Sequence, residues 1–360
     1  MHLQQLRVQH LRNITEANLV FDPSLNLIIG ENGSGKTSLL EAIYLAGTAK
    51  SFRSQSHQHI IQENADHLLV FVRLVDETRK TTQIGIEKSH KGTRLRINNQ
   101  PGQSSAELAR QLALQLVNQS SFQLIDQGPR LRRRFLDWGL FHVKPTFFEC
   151  WKRYYHVLKQ RNSLLKQHKP VAELGSWNLQ LGRLAEELGS YRNEYIQELT
   201  PVFMTYLNRL GNQQPINLRY YAGWDEKKAF SDVLEADLEK DRRKGYTHSG
   251  PHRADLSILS DKQPAEQRLS RGQQKTLVTA LQLAQAEHLQ MTTGKYCIVL
   301  VDDLAAELDT EHQRLFISAL AASGSQVFIT ATDADEAITS LWPSKKVFHV
   351  KRGNFSEVVY

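Results

Sequence analysis

The chain has 360 residues, 40% hydrophobic and 23% charged, and a net charge of +7. That suffices for one large or two ordinary domains with true cores, and the charge content excludes global disorder. The distant cysteines Cys150 and Cys297 exclude a disulfide scaffold or a cysteine-built zinc site and suit a reducing cytosol, while the basic balance mildly favours a polyanion such as nucleic acid.

Leu3 to Val8 and Ala17 to Phe21 alternate, which predicts two strands with a turn at Asp22-Pro23. The opening Met1-His2-Leu3-Gln4-Gln5-Leu6 is no signal peptide, and no apolar run approaches the ~20 residues of a membrane span, so a cytoplasmic protein with no membrane partner is expected. Leu27-Ile28-Ile29 is an apolar run of the buried-strand type. It leads into Gly30-Glu31-Asn32-Gly33-Ser34-Gly35-Lys36-Thr37, a G-x-x-x-x-G-K-T loop, and then into a helical pattern, Ser38-Leu39-Leu40-Glu41-Ala42-Ile43. Strand, glycine loop and helix in this order make a nucleotide phosphate site. The glycines let backbone N–H groups close around phosphates, Lys36 brings a charge to the β/γ-phosphates, Thr37 offers a hydroxyl to Mg2+, and the helix N-terminus adds partial positive charge. Leu68 to Val75, Thr82 to Glu87 and Thr93 to Ile97 predict a β-meander that ends at Asn98-Asn99-Gln100-Pro101-Gly102.

From about Ala106 to Asn208 the pattern is almost all helical. Phe147, Trp151, Tyr154, Leu158 and Leu165 recur at helical steps, as do Leu181, Leu184, Leu188, Tyr191 and Tyr195, with a breaker from His168 to Ser176 between them. This predicts an antiparallel helical hairpin, each helix roughly 25–30 residues and about 40 Å long, with the aromatics as its core. A strand follows at Ile216 to Tyr221 and a charged helix at Ser231 to Lys244. Leu256 to Leu259, Gln273 to Leu289, Tyr296 to Val301, Thr310 to Ala321 and Gln326 to Thr330 then alternate strand and helix, so an α/β domain with a mostly parallel sheet is expected. The helical segment reads as an insertion, giving divisions at 1–118, 119–245 and 246–360.

Ile298-Val299-Leu300-Val301 is a buried-type strand that ends in Asp302-Asp303. Two acids at a strand end are commonly just solvated; beside a phosphate loop, Asp302 is the expected Mg2+ ligand and Asp303 the group that orients or deprotonates water. Leu269-Ser270-Arg271-Gly272-Gln273-Gln274-Lys275 opens a helix, with Ser270 as N-cap and Ser270 and Gly272 at a potential anion site. Basic residues cluster at Arg130, Arg132, Arg133 and Arg134, on one β-hairpin at Lys88, Lys91, Arg94 and Arg96, and at Arg242, Arg243 and Lys244. Each cluster alone suits a solvated surface. The hairpin is the first choice for sequence-blind duplex contacts, and the Arg132–Arg134 run could instead support a lobe interface, partly neutralised by Asp137. Nothing resembles a helix-turn-helix, a zinc finger or an aromatic single-strand platform, so double-stranded DNA is preferred.

Phosphate loop, signature and strand acids in this order resemble the ATP-binding cassette head, and within that class the chain closely resembles the RecF family of bacterial recombination mediators. The resemblance runs through Leu11-Arg12-Asn13, the segment from Asn26 to Leu45, Lys50-Ser51-Phe52-Arg53, Gly128-Pro129 with Arg132-Arg133-Arg134-Phe135-Leu136-Asp137, Ser249-Gly250-Pro251-His252-Arg253-Ala254-Asp255, and the Ser270 signature. It implies an α/β fold: an ABC-type P-loop ATPase head (lobe I) with an inserted, mostly helical lobe II carrying a short antiparallel helical hairpin. It implies ATP and Mg2+, held by Arg12, Asn13, Gly30, Glu31, Asn32, Gly33, Ser34, Gly35, Lys36, Thr37 and Ser38, with Arg53 nearby. Ser270, Arg271, Gly272 and Gln273 of a second copy would close the site in an ATP-dependent homodimer. It further implies binding to double-stranded or gapped DNA, and action with RecR and RecO to load RecA where single-strand-binding protein covers a gap. Two departures point to slow hydrolysis: Asp303 stands where many cassettes carry Glu, and Thr332 where a switch His is usual. A glutamine-loop residue is expected at Gln115 or Gln119. The rival readings are an ATP-gated scaffold in which turnover is dispensable and a transporter-type ATPase subunit; an SMC-type coiled coil would need a far longer hairpin.

Overall fold

The computed structural model describes residues 1–54, 56, 59–303, 309–334 and 336–358. Its strands are β1 (His2–Leu11), β2 (Ile14–Val20), β3 (Leu25–Ile29), β4 (His67–Val75), β5 (Thr81–Ser89), β6 (Gly92–Ile97), β7 (Gln100–Pro101), β8 (Leu114–Val117), β9 (Ile216–Tyr221), β10 (Asp255–Ser260), β11 (Gln263–Pro264), β12 (Ile298–Val301), β13 (Val327–Ala331), β14 (Lys345–Lys351) and β15 (Asn354–Val358). Its helices are α1 (Lys36–Thr48), α2 (Ser105–Gln111), α3 (Gln123–Asp126), α4 (Pro129–Val143), α5 (Phe147–Lys166), α6 (Val171–Arg209), α7 (Phe230–Ala236), α8 (Leu238–Lys244), α9 (Ala265–Arg268), α10 (Arg271–Thr293), α11 (Thr310–Ala322) and α12 (Glu336–Thr339). The chain divides into two compact units: residues 1–121, 206–212 and 275–360 form the first, and residues 122–205 and 213–274 the second. The second unit therefore includes 246–274, which the sequence pattern had joined to the C-terminal α/β segment.

Alternation builds the first sheet of unit one. In β4, Leu68, Val70, Val72 and Leu74 point inward, and the strands run in the order β2-β1-β4-β5-β6-β7, all antiparallel. The second sheet has the order β15-β14-β3-β13-β12-β8; β14, β3, β13, β12 and β8 are parallel, and β15 is an antiparallel edge. Its central strands are continuous apolar runs because both faces are covered: all four residues of β12 are buried. Helix α1 packs into the same core, where Leu39, Leu40, Ile43 and Leu45 are fully buried, each worth about 1.5–3 kcal/mol.

Three expectations need correction. Leu114 to Val117 is not helical: it is the edge strand β8, paired in parallel with β12, and its short apolar run was lost inside a helical neighbourhood. The strand at Leu256 to Leu259 does not join the parallel sheet; as β10 it lies antiparallel between β9 and β11 in the second unit. The hairpin helices are unequal, 20 and 39 residues, because α6 restarts directly after Pro170 and carries Gly175 and Ser176 inside it. The hairpin is antiparallel: Thr146 meets Tyr191, Cys150 meets Leu184, and Arg161 meets Asn178.

Unit two is held by buried ion pairs as well as apolar contacts. Arg161 and Asp241, both with fully buried side chains, pair at 2.7 Å. Arg192 binds Asp137 and the Pro251 carbonyl, and Arg132 binds Asp255 through two bonds of 2.7 and 2.9 Å. Removing one partner of such a pair leaves an unpaired buried charge, a loss of about 3–5 kcal/mol.

Candidate functional site

Strand β3 ends at Ile29 and the chain turns through Gly30 to Gly35 into α1. Gly30 passes so close to β14 that a Cβ there would lie 2.4 Å from the Val350 carbonyl oxygen, so no other residue fits. Two hairpin turns pin the loop. From the β1–β2 turn, Asn13 Nδ2 donates to the Gly33 carbonyl at 3.2 Å while Asn13 Oδ1 accepts from Ser38 Oγ at 3.0 Å. From the β14–β15 turn, the Gly353 N–H donates to the Ser34 carbonyl at 2.7 Å. Lys36 Nζ donates to the Gly30 and Glu31 carbonyls at 2.5 and 3.0 Å.

The loop fits a phosphate on its own evidence. Helix α1 has no side-chain cap and no acid in its first turn, so its partial positive end is uncompensated. Ser34 Oγ is buried and has no hydrogen-bond partner among the described residues.

The strand acids meet this loop. Asp302 Oδ1 accepts from Thr37 Oγ1 and from Thr330 Oγ1, each at 2.9 Å, and Thr330 Oγ1 in turn accepts from the Asp303 N–H at 2.8 Å. Burial pushes the Asp302 carboxyl above its ordinary range, and the Asp303 charge adds to this; the two hydroxyls and the Arg53 guanidinium act the other way. Hydroxyl plus carboxylate is the oxygen donor set that suits Mg2+ when phosphate and water complete the shell. Asp303 is exposed, with φ 55°. Thr330, fully buried on β13, was missed in the sequence, where attention fell on Thr332; a hydroxyl directly after the apolar run Val327-Phe328-Ile329 was the available signal.

Strand β8 runs beside β12, and the Asp302 N–H donates to the Val117 carbonyl at 2.9 Å. Gln115 is buried behind this edge with Nε2 on Gln285 Oε1 at 2.8 Å, whereas Gln119 follows the strand end and is exposed. Of the two glutamines, only Gln119 is exposed where β8 ends beside Asp302.

Arg12, at φ 55° in the β1–β2 turn, grips the fully buried Glu41 of α1 with two bonds of 3.0 Å, and Ser51 binds the same carboxylate. This pair ties the turn to the helix behind the loop. Glu41 was named only as part of a matching segment, since an acid inside an apolar helix gives no partner from sequence. Arg53 is exposed, as are Glu31, Asn32 and Gly33. The signature belongs to the second unit and forms a reciprocal cap: the Ser270 N–H donates to Gln273 Oε1 at 2.9 Å, and the Gln273 N–H to Ser270 Oγ at 3.3 Å. Ser270, Arg271 and Gly272 are exposed.

The basic candidates separate sharply. Lys88 is 1% exposed, donates to Thr93 Oγ1 at 3.0 Å and is pushed by burial down to about 8, so it is no surface cation. Its position two residues beyond Ile86 and four beyond Ile84 puts it on the inward face of β5, a parity legible in the sequence. Arg132 and Arg133 are also internal: Arg132 pairs with Asp255, and Arg133 donates to the Ala254 carbonyl at 2.7 Å. Lys91, Arg94 and Arg96 are exposed on the β5–β6 hairpin, and Arg94 lies 3.6 Å from Glu87.

A family profile described as "RecF/RecN/SMC N terminal domain" matches residues 2–354. The chain is 41% identical over 354 residues to the "DNA replication and repair protein RecF" of Vibrio parahaemolyticus serotype O3:K6, covering 98% of this chain and 99% of that protein. It is 40% identical over 358 residues to the protein of the same description from Vibrio cholerae serotype O1 strain O395, with the same coverage. Among solved structures, the recombination mediator protein RecF–ATPrS in the RecFOR pathway superposes with a TM-score of 0.86 at 25% identity, covering 99% of this chain and 98% of that one. An Smc head bound to the C-winged helix domain of ScpA superposes at 0.63 with 15% identity, covering 99% and 97%, a likeness of fold alone. No helix among the described residues is long and apolar enough to cross a membrane.

Proposed function

This chain belongs to the RecF family of DNA replication and repair proteins, and on that premise we propose that it is a slow Mg2+-dependent ATPase whose ATP-bound dimer holds duplex DNA at or near single-strand gap borders. The observation that carries the reading is the Asp302 carboxylate held by the Thr37 hydroxyl of the phosphate loop, across 265 residues of chain. Lys36 and the N–H groups at the start of α1 bind the β- and γ-phosphates, displacing Lys36 from the loop carbonyls it now touches. Thr37 and Asp302 would hold Mg2+, which supplies positive charge to the phosphates. Asp303 orients the attacking water; its short side chain makes turnover slow, and Thr332 gives no second titrating group.

Asn13 and Arg12 shape the loop, and Arg53 lends charge near Asp302. Ser270, Arg271, Gly272 and Gln273 of a second copy close over the γ-phosphate, so ATP favours the dimer and ADP does not. Lys91, Arg94 and Arg96 contact duplex phosphates, while RecR and RecO act as partners in loading RecA onto covered gaps, as the family relationship implies.

The test is fluorescence anisotropy of a labelled duplex titrated with protein in ATP and in ADP, at two salt concentrations, with Lys36→Met alongside. Tight binding in ATP alone, weakened by salt and lost in the variant, is expected. Equal binding in both nucleotides would overturn the ATP-gated dimer.

A further inference from the structure

Ser249-Gly250-Pro251-His252-Arg253 is the family-like segment that the nucleotide site leaves unused. Most of it faces inward. His252 Nδ1 lies 2.7 Å from Tyr154 Oη, and His252 Nε2 lies 3.0 Å from the Thr247 carbonyl. Around it, Arg192 takes the Pro251 carbonyl, Arg133 the Ala254 carbonyl and Arg132 the Asp255 carboxylate.

Arg253 is different. It is exposed, and its guanidinium lies over the Tyr246 ring, 5.6 Å from the centroid. Tyr246 stacks on His248 at 4.5 Å, His248 Nδ1 lies 2.8 Å from Asp241 Oδ1, and Asp241 is fully buried against Arg161. A buried ion pair thus supports a stacked ring that carries an outward cation, which limits the side-chain entropy lost when an anion binds.

More cations gather at the same place. Tyr246 follows Gly245, which ends α8, and the last turn of that helix carries Arg243 and Lys244, both exposed. Lys166 of α5, also exposed, packs against Gly245 so closely that a Cβ there would lie 3.2 Å from Lys166 Cγ. Asp241, within the same turn of α8, is buried and paired, so it does not neutralise this surface.

We infer that Lys166, Arg243, Lys244 and Arg253 form a duplex-backbone contact on the second unit, separate from the β5–β6 hairpin. The inference rests on the DNA-binding reading given above. Phosphates suit this surface better than an acidic protein does. A protein interface needs a broad apolar centre, and the one large apolar group here, Tyr246, is exposed but stands singly between His248 and Arg253. Four exposed Arg and Lys around a single ring are what sequence-blind backbone contact uses.

Duplex affinity varies with salt to about the −0.9 power per neutralised phosphate, so one contact is worth roughly eightfold at 0.1 M salt relative to 1 M. For each protomer whose surface reaches the duplex, the double variant Arg243→Ala/Arg253→Ala should therefore bind a labelled duplex about 60-fold more weakly in ATP at 0.1 M salt, with a log–log salt slope shallower by about 1.8. Its melting temperature and its affinity for a fluorescent ATP analogue should match the wild type, because both residues are exposed and belong to the unit that does not carry the phosphate loop. Arg253→Lys should restore the slope without the full affinity, since the charge returns without the stacked guanidinium. If wild type binds duplex in ATP and the double variant binds with the same affinity and slope, this surface serves another partner, such as an acidic protein, and the inference is overturned while the DNA-binding reading stands. If wild type itself fails to bind duplex, both fall.

Discussion

Gly353→Ala should separate a positioning role of the C-terminal hairpin from a merely structural one. The β14–β15 turn has φ 49° at Arg352 and 78° at Gly353, the two-residue hairpin geometry in which both central residues are left-handed. An alanine at 353 pays about 1–2 kcal/mol for that conformation. Space adds more: its Cβ would sit 2.0 Å from the Asn13 carbonyl oxygen and 2.9 Å from the Asn13 carbonyl carbon, both backbone atoms that cannot swing aside. The turn must retreat by about 1.4 Å to reach ordinary contact at 3.4 Å, which stretches the 2.7 Å bond from the Gly353 N–H to Ser34 beyond useful length, a loss of about 1 kcal/mol. The sum is about 2–3 kcal/mol, spent where the phosphate loop is pinned. The assay is paired: thermal unfolding, and titration with a fluorescent ATP analogue. A fall of several degrees in melting temperature with roughly tenfold to hundredfold weaker ATP binding is expected, since 1.4 kcal/mol is a factor of ten. ADP should weaken equally, because Ser34 lies in the loop common to both nucleotides. If the variant melts lower but binds ATP as wild type does, the turn braces the sheet and does not position the loop.

Two further outcomes follow from the same geometry. Thr330→Val keeps the shape but removes both the donor to Asp302 and the acceptor for the Asp303 N–H, a change of about 1–3 kcal/mol at the strand end; ATP turnover should fall by an order of magnitude or more with a raised Mg2+ requirement, and unchanged turnover would mean Thr37 alone suffices to hold Asp302. His252 sits between the Tyr154 hydroxyl and the Thr247 carbonyl, and because that carbonyl can only accept, Nε2 carries the proton and Nδ1 accepts from Tyr154. Burial pushes His252 down to about 4, so the unfolded chain binds a proton at higher pH than the folded one does. Stability should then fall as pH drops from about 6.5 towards 4, by at most about 3 kcal/mol, and His252→Gln should flatten that part of the curve; parallel pH dependence in both proteins, read by urea unfolding, would refute the buried neutral ring.

The nucleotide site was legible because its parts are contiguous and chemically unusual. Gly30 to Thr37 can be recognised without knowing the fold, and Asp302 gains its meaning from standing at the end of an apolar strand in a chain that carries that loop. Secondary structure failed where a short run lay in misleading company: Leu114 to Val117 is four residues of strand between helices, and only its ladder with β12 distinguishes it. The same limit hid the choice between Gln115 and Gln119, which depends on where that strand stops. Lys88 is a different failure. The alternation Ile84, Ile86, Lys88 was visible, but a lysine is read as surface by its charge, and parity gave way to composition.

What no local pattern could carry is the bracing of the phosphate loop by two hairpin turns from opposite ends of the chain. Asn13 and Gly353 are 340 positions apart, yet both bond the segment Gly33–Ser34, and a Cβ on one would strike the backbone of the other. Each turn, by itself, is an ordinary Asn or Gly turn with ordinary sequence reasons. The functional content lies in the contact between them, which exists because β3 pairs with β14 on one side and α1 packs beneath the sheet that carries β1. A loop that must hold several N–H groups toward an anion gains nothing from being flexible. Anchoring it at Gly33 and Ser34, while Ser34 Oγ has no hydrogen-bond partner among the described residues and Lys36 touches only the loop's own carbonyls, makes it stiff in backbone and open in chemistry. That division explains why the residues of the loop announce themselves by pattern, whereas Asn13 was named only through a family resemblance and Gly353 not at all.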